Sequence, residues 1–389
     1  MAGHIVIAPD KFKGSLTARQ AAQAMSRGVN RAHPTLTTVE CPVADGGDGT
    51  LEAVAAAGFG LVPVTATGPT GRPVRSAYAR RGNSAVIEMA DVCGLLRLRD
   101  AAPDPMNSSS YGLGAVVAQA LNDGCRDIII AVGGSASTDG GAGFLSALGA
   151  AVLDRTGVPV GAGGGGVADA TDIDLTGLHR AISAATFTVA VDVDNPLCGP
   201  LGAAAVYAPQ KGATPRQVVE LEQALRGWAD TVERSTNTVC RTAPGAGAAG
   251  GVGFAALAVL HARMRPGIEL ILDLIELDRH LAGARVALTG EGSLDQQSLR
   301  GKAPVGVCRR AGARHVPTFA VAGVSTLSPA EAHTAGFAGV YTLRDAEPDE
   351  RRSLRRAASL LATVTEQLAR ERWVNPAVPP TAPTCSCKP

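Results

Sequence analysis

Residues 4–10, HIVIAPD, decide how the chain begins to fold. The run from His4 to Ala8 is apolar, too short for a stable helix, and closed by Pro9, so it reads as a buried strand. It ends on a carboxylate, Asp10, at the point where the chain must turn. Downstream, Thr17 is followed three residues later by Gln20, the pattern of a capping box. Ala21, Ala22, Met25, Val29 and Ala32 then mark one face of a helix that Pro34 stops. Residues 38–44 read as a second strand, ending in Asp45-Gly46-Gly47-Asp48-Gly49, and residues 50–57 as a second helix stopped by Gly58. Strand, helix, strand, helix is the signature of a parallel sheet.

The pattern changes near residue 65. Residues 62–67, 73–80 and 84–89 read as strands joined by the short turns GPTG and RGN, which imply an antiparallel meander. A helix over 111–123, a strand over 127–132 and a helix from about Gly141 follow. Residues 157–168 are glycine-rich and read as a mobile loop. A strand over 187–191 and helices over 214–239 and 251–264 come next. The opening style then returns, with strands at 285–288, 318–321 and 339–343, a helix after 301 and an amphipathic helix over 353–371. The expected fold class is α/β with two domains. Residues 1–64 and 285–375 form a Rossmann-like parallel-sheet domain built from both chain ends. Residues 65–284 form an inserted mixed-sheet α/β domain, and 376–389 a Pro-rich tail expected to be disordered.

Composition narrows the function. The 389 residues are 46% apolar, so a large core is available, but only 3% aromatic. A net charge of +1 and few aromatic rings disfavour nucleic-acid binding, which needs a basic footprint or stacking platforms. No stretch approaches the roughly 18 uninterrupted apolar residues of a membrane span, and the N-terminus lacks the pattern of a signal peptide. Eight cysteines without a CxxC pair suggest reduced thiols and a cytoplasmic location. Cys385 and Cys387 lie in the Pro-rich tail, where a metal role is the weaker reading.

One feature recurs. Apolar strands end in loops that hold acids, mostly among glycines: Asp10, Asp45 and Asp48, Asp139, Asp192 and Asp194, Glu291 and Asp295. Each acid alone reads as a helix cap. Together they suggest one site, because ligands of α/β sheets bind outside the carboxyl ends of the strands. Gathered carboxylates need cationic partners, and hard oxygen ligands that leave room for water suit Mg²⁺ held with substrate phosphates. The loop at 133–144, GGSASTDGGAGF, has the opposite character. Gly133 and Gly134 let backbone N–H groups approach an anion, a helix N-terminus adds unpaired donors, and Ser135, Ser137 and Thr138 add hydroxyls. Read alone it is a phosphate or carboxylate cradle, or a tight turn with glycines for packing. Lys11, Lys13 and Ser15 after the first strand, Lys211 in PQKG and Lys302 in RGK offer charge for an anionic substrate.

Other chemistries lack their residues. Gly245, Gly247 and Gly250 fit GxGxxG, but no strand pattern precedes them. There is no GxxxxGK[ST], no GxSxG, no HxxxH, and no protein-kinase motif set. The charge run at 349–356 reads as a solvated helix face.

Taken in order, IVIAPDKFKGSLTA, PVADGGDGT, SSYGLG, GGSASTDGGAG, VDVDNPLCGPLGAA, APQKGA, GAGAAGG and LTGEGSLDQQSLRGKAP resemble the type I glycerate kinases, the glycerate 2-kinase group, over residues 5 to about 325. The chain departs from that pattern at Lys11, Asp48 and Thr138, where the family often has Ser, Glu and Asn. The resemblance implies an ATP- and Mg²⁺-dependent kinase of D-glycerate, with two α/β domains and the site in the cleft between them. It leans to the C2 hydroxyl, with glycerate 3-kinase or another small hydroxy-acid kinase or phosphatase as the alternative, and a non-catalytic anion-binding protein as a remoter one. A homodimer stays open. On this reading Gly133, Gly134, Ser135, Ser137, Thr138, Asp139 and Lys211 hold the nucleotide phosphates. Asp10, Lys13, Ser15, Asp45 and Asp48 hold glycerate, with Lys13 on its carboxylate. Asp192 carries the metal with Glu291 or Asp295, and Asp45 or Asp192 accepts the hydroxyl proton.

Overall fold

The structure is a computed structural model and describes residues 3–98 and 102–373. The Pro-rich tail, with Cys385 and Cys387, lies outside the described residues. The chain divides into two compact units. The first runs from the N-terminus to Asp45, takes in Glu52–Ala57, and resumes from Ile268 onward; the second comprises Gly46–Leu51 and Gly58–Gly267.

The first unit is built on a five-stranded sheet in the order Phe337–Thr342, Thr318–Ala322, Ala284–Thr289, His4–Ile7, Thr38–Glu40. Every pairing is parallel. Its two central strands come from opposite ends of the sequence, with Ile7 opposite Leu288. From this central pair the chain winds outward in both directions, so the topological switch point lies between His4–Ile7 and Ala284–Thr289. Both faces are covered, which is why the strands read as continuous apolar runs. Ile5, Ile7, Val286, Leu288, Phe319 and Val321 pack against helices Ala18–Ala32 and Ala357–Arg372. The alternate residues Ala320 and Ala322 pack with Leu294, Cys308 and Phe337 on the other face. The expected capping box is present, with the Gln20 amide donating to Thr17 Oγ1 and the Thr17 amide to Gln20 Oε1. The amphipathic helix expected over 353–371 is two helices, Glu350–Arg355 and Ala357–Arg372, because Arg356 leaves helical geometry at φ −107°, ψ 12°.

The second unit holds a six-stranded mixed sheet in the order Arg263–Arg265, Thr186–Ala190, Asp127–Ala131, Ser84–Glu88, Pro73–Arg81, Gly60–Thr67. The last three form the expected antiparallel meander. Ser84–Glu88 then pairs parallel with Asp127–Ala131, which pairs parallel with Thr186–Ala190. Val117, Ile128, Ile130, Phe144, Trp228 and Phe254 are fully or almost fully buried in one continuous core. The glycine run expected as a mobile loop contains the short helix Gly163–Val167. Its glycines serve close packing: a methyl at Gly164 would lie 2.7 Å from the Thr138 carbonyl oxygen and 2.2 Å from Leu221.

The crossovers also differ from the expected boundaries. The later one falls at Gly267, well before 284, because helix Gly267–Leu274 from Ile268 onward and helix Leu277–Leu281 belong to the first unit. Arg310, on helix Ala303–Gly312, binds Glu269, Asp273 and Asp278 of those helices, each at 2.7 Å. Residues 46–51 go with the second unit for reasons that lie in the site.

Candidate active site

The cradle follows strand Asp127–Ala131. Its loop is tethered by backbone hydrogen bonds, from Leu95 N–H to the Gly134 carbonyl and from Ala136 N–H to the Cys93 carbonyl, both at 3.0 Å. Beneath it sits Asp139, fully buried. One carboxylate oxygen accepts the Ser110 N–H and Ser110 hydroxyl, each at 2.8 Å, and the other accepts the Gly141 N–H at 3.2 Å. Burial pushes this carboxyl up, and the hydrogen bonds from Ser110 and Gly141 oppose that. Asp139, expected among the phosphate-binding residues, therefore spends its oxygens on joining the starts of helices Tyr111–Asn122 and Ala142–Ala147. It shapes the cradle from below.

Lys211 crosses the loop. Its buried ammonium donates to Ser135 Oγ at 2.8 Å and to the Ser137 carbonyl at 2.6 Å. An ammonium has three protons, so one is left for a ligand. Burial pushes Lys211 down to about 7, against the attraction of Asp139. The hydroxyls of Ser108, Ser137 and Thr138 are buried without a hydrogen-bond partner. The orphaned hydroxyls of Ser137 and Thr138 and a desolvated ammonium at one strand end are costly unless a ligand satisfies them, and an anion rich in acceptor oxygens fits that need.

The GAGAAGG stretch, with turns and no strand before it, supplies a second wall. The Gly250 carbonyl accepts the Gly140 N–H at 2.9 Å.

A third wall comes from the DGGDG loop. Gly133 N–H donates to the Gly46 carbonyl at 3.1 Å. A methyl at Gly133 would stand 2.5 Å from Gly47 Cα, so only glycine permits the approach. The neighbouring turn carries Asp48 and is held by Glu88, the last residue of strand Ser84–Glu88. Its two oxygens accept Gly49 N–H at 3.2 Å and Leu51 N–H at 2.8 Å. Burial pushes Glu88 up to about 7, the amides oppose this, and the Asp48 charge adds to it. Glu88 was missed from sequence, although SAVIE is one more apolar strand that ends on an acid.

Asp192 is exposed, and one of its oxygens accepts the Gly267 N–H at 2.7 Å, at the start of helix Gly267–Leu274. It is a cap in this respect.

In the first unit, the acids follow the central strands. Asp10 and Glu291 are buried at the switch point, where the Asp10 N–H donates to the Gly290 carbonyl at 2.8 Å. Burial pushes Asp10 up to about 7; Lys11 lowers it, and Asp45 and Glu291 raise it. Burial also raises Glu291, opposed by Ser298 and Lys302 and reinforced by Asp295 and Asp45. So Asp10, Asp45 and Glu291 feel one another's charge. Glu291 Oε1 is buried with no hydrogen-bond partner, a vacant acceptor for a cation or a hydroxyl. Lys13 is exposed and its backbone packs on Gly292, while Ser15 Oγ donates to the Phe12 carbonyl at 3.0 Å. Asp295 caps its own turn, accepting Gln297 N–H at 2.8 Å and Ser298 N–H at 3.1 Å.

Among the described residues, no three His, Cys, Asp or Glu side chains lie close enough to hold a metal by themselves. Mg²⁺ bound with phosphates needs only one or two carboxylates, the rest of its shell being water and phosphate oxygen. Glu291, with its unpartnered Oε1, has an oxygen suited to that. Among the described residues the six cysteines are free, five of them buried, and no helix is long and apolar enough to cross a membrane.

The sequence profile of the glycerate kinase family matches residues 5–372. The chain belongs to the glycerate kinase family. It is 40% identical over 342 residues to an Escherichia coli K12 protein named glycerate 2-kinase, covering 87% of this chain and 90% of that one. It is 40% identical over 322 residues to a Bacillus subtilis protein named glycerate kinase, covering 82% and 84%. A crystal structure from Salmonella typhimurium LT2, described as a candidate glycerate kinase 2, superposes with a TM-score of 0.84 at 37% identity, covering 97% of this family member and all of that chain.

Proposed function

We propose that this chain transfers the terminal phosphoryl group of ATP to the C2 hydroxyl of D-glycerate, releasing ADP and 2-phospho-D-glycerate. The observation that carries the reading is the Gly133–Gly46 contact within the second unit. There a loop of buried, unpartnered hydroxyls and a buried ammonium lies against the turn that carries Asp48, which supports a reading in which donors for a phosphate stand beside an acceptor for a hydroxy acid. Phosphoryl transfer needs this kind of positioning and charge neutralisation more than covalent chemistry.

ATP with Mg²⁺ supplies the phosphoryl group and screens its charge. Gly133, Gly134, Ser135, Ser137, Thr138 and Lys211 hold the phosphates. An incoming anion restores the Lys211 charge that burial has weakened. Asp192, with Glu291 or Asp295, offers the carboxylate oxygens for the metal. Lys13 pairs with the glycerate carboxylate, while Asp10, Ser15 and Asp48 orient its hydroxyls. Asp45, or Asp192, accepts the proton of the attacking hydroxyl.

The test is ADP release against a panel of hydroxy acids, followed by phosphorus NMR of the product. D-Glycerate should give the highest kcat/KM, and the phosphorus signal should split into a doublet from the single C2 proton. A triplet from a methylene would assign a 3-kinase instead. ADP release that no acceptor stimulates would leave an anion-binding protein.

A further inference from the structure

The turn at 46–51 belongs to the second unit, and one residue supplies two of the hydrogen bonds that hold it. Glu88 lies at the carboxyl end of strand Ser84–Glu88, buried, and spends both carboxylate oxygens on the turn, one on Gly49 N–H and one on Leu51 N–H. Asp48 sits between Gly47 and Gly49 in that turn, and Thr50 Oγ1 closes it by donating to the Gly47 carbonyl at 2.7 Å. On the far side the Gly46 carbonyl is held by Gly133 N–H. The charges of Asp48 and Asp91 add to the effect of burial in raising Glu88, and the amides of Leu51 and Gly49 oppose them. A buried carboxylate whose attractive partners are two backbone amides is an expensive way to hold a turn. An apolar side chain of equal size could fill the space, but could not accept those amides.

We propose that Glu88 is the positioning residue of the acceptor-binding turn: its two-oxygen grip on Gly49 and Leu51 fixes Asp48 in the orientation that binds the hydroxyl acid. This rests on the reading of Asp48 as a glycerate-binding residue. Glu88 is buried and both its oxygens are taken by the turn, so its effect falls, through Asp48, on the binding of one substrate. The geometry of the grip dictates the test. An amide at position 88 keeps one acceptor oxygen but turns an NH₂ toward the second backbone N–H, donor against donor. One of the two hydrogen bonds must break, and the turn gains freedom without any loss of side-chain volume.

Glu88→Gln and wild type should be compared by Michaelis constants for both substrates and by amide hydrogen exchange. In E88Q the KM for D-glycerate should rise at least tenfold while the KM for ATP changes less than twofold. Exchange at Gly49 and Leu51 should accelerate at least tenfold, with the Lys211 region unaffected. A general loss of packing would instead lower the active fraction and move both constants together, and that result overturns the proposal. So does an unchanged KM for glycerate. If circular dichroism shows that E88Q does not fold, Glu88→Asp, which keeps the charge but shortens the reach, carries the same two measurements. If wild type releases no ADP with glycerate, the functional reading falls, and the exchange measurement still judges the grip: unaltered protection at Gly49 and Leu51 in the variant overturns it.

Discussion

At the carboxyl ends of the central strands in the first unit, the chain gathers Asp10, Asp45 and Glu291. At the end of strand Asp127–Ala131 in the second, it gathers Ser135, Ser137, Thr138 and Lys211. The backbone device is the same, a parallel strand running into a tight loop. The charge is opposite. Burial works against both, pushing Asp10 up to about 7 and Lys211 down to about 7, so these two residues are each held near the point of losing their charge. The comparison teaches that the fold supplies the place and the side chains supply the sign. It also shows that each region stores a desolvation cost which a ligand of the complementary kind relieves.

The largest effect should come from removing the single cation of the donor cluster. Lys211→Met leaves Ser135 Oγ and the Ser137 carbonyl without their donor. It should lower kcat/KM by ~10³-fold, about 4 kcal/mol of transition-state stabilisation. Activity within tenfold of wild type would break the contrast between the two regions. Next, Asp192→Asn keeps an oxygen for the Gly267 N–H and so keeps the cap. It should lower kcat by ~10²-fold, about 2.7 kcal/mol, with an unchanged far-ultraviolet circular dichroism spectrum. Undiminished kcat would make Asp192 a cap and nothing more.

The smallest effect is on stability, and it has a sign in each region. Asp10 holds its proton more tightly folded than unfolded, where 3.8 is its ordinary value. Its contribution is therefore full below that value and is lost as pH rises through about 7. Lys211 holds its proton less tightly than its ordinary 10.5. Its contribution is full above 10.5 and is lost as pH falls through about 7. The two together are least favourable near neutrality. Thermal melts across that range should show Asp10→Asn flattening the acid side and Lys211→Met the alkaline side. Parallel curves for wild type and Asp10→Asn would remove Asp10 from the account.

Much of this was legible in the residues. The first helix is announced by Thr17 and Gln20, and the parallel sheet by apolar runs whose ends carry acids. Strands of three residues, such as Thr38–Glu40, are too short for a period to declare itself, so the expected strand over 38–44 ran too long. The glycines at 163–166 looked like slack because a sequence does not show which atoms approach a missing Cβ. The site was half legible for a similar reason. The rule of acids among glycines picked out Asp10, Asp45 and Glu291, which feel one another's charge in the first unit. It gave Asp139 a ligand although its oxygens turn inward onto Ser110 and Gly141. It passed over Glu88 because Met89 and Ala90, and no glycine, follow it.

The chain passes from one unit to the other at residues 45, 51, 57 and 267, and this orders its birth on the ribosome. Thr289 and Ala8, bonded at the centre of the first sheet, stand 281 positions apart. That sheet must wait for most of the polypeptide to emerge, whereas everything the mixed sheet needs has been synthesised by Gly267. The early segment, with its apolar first strand, spends the interval without its neighbour, which is the interval in which a chaperone would be expected to matter.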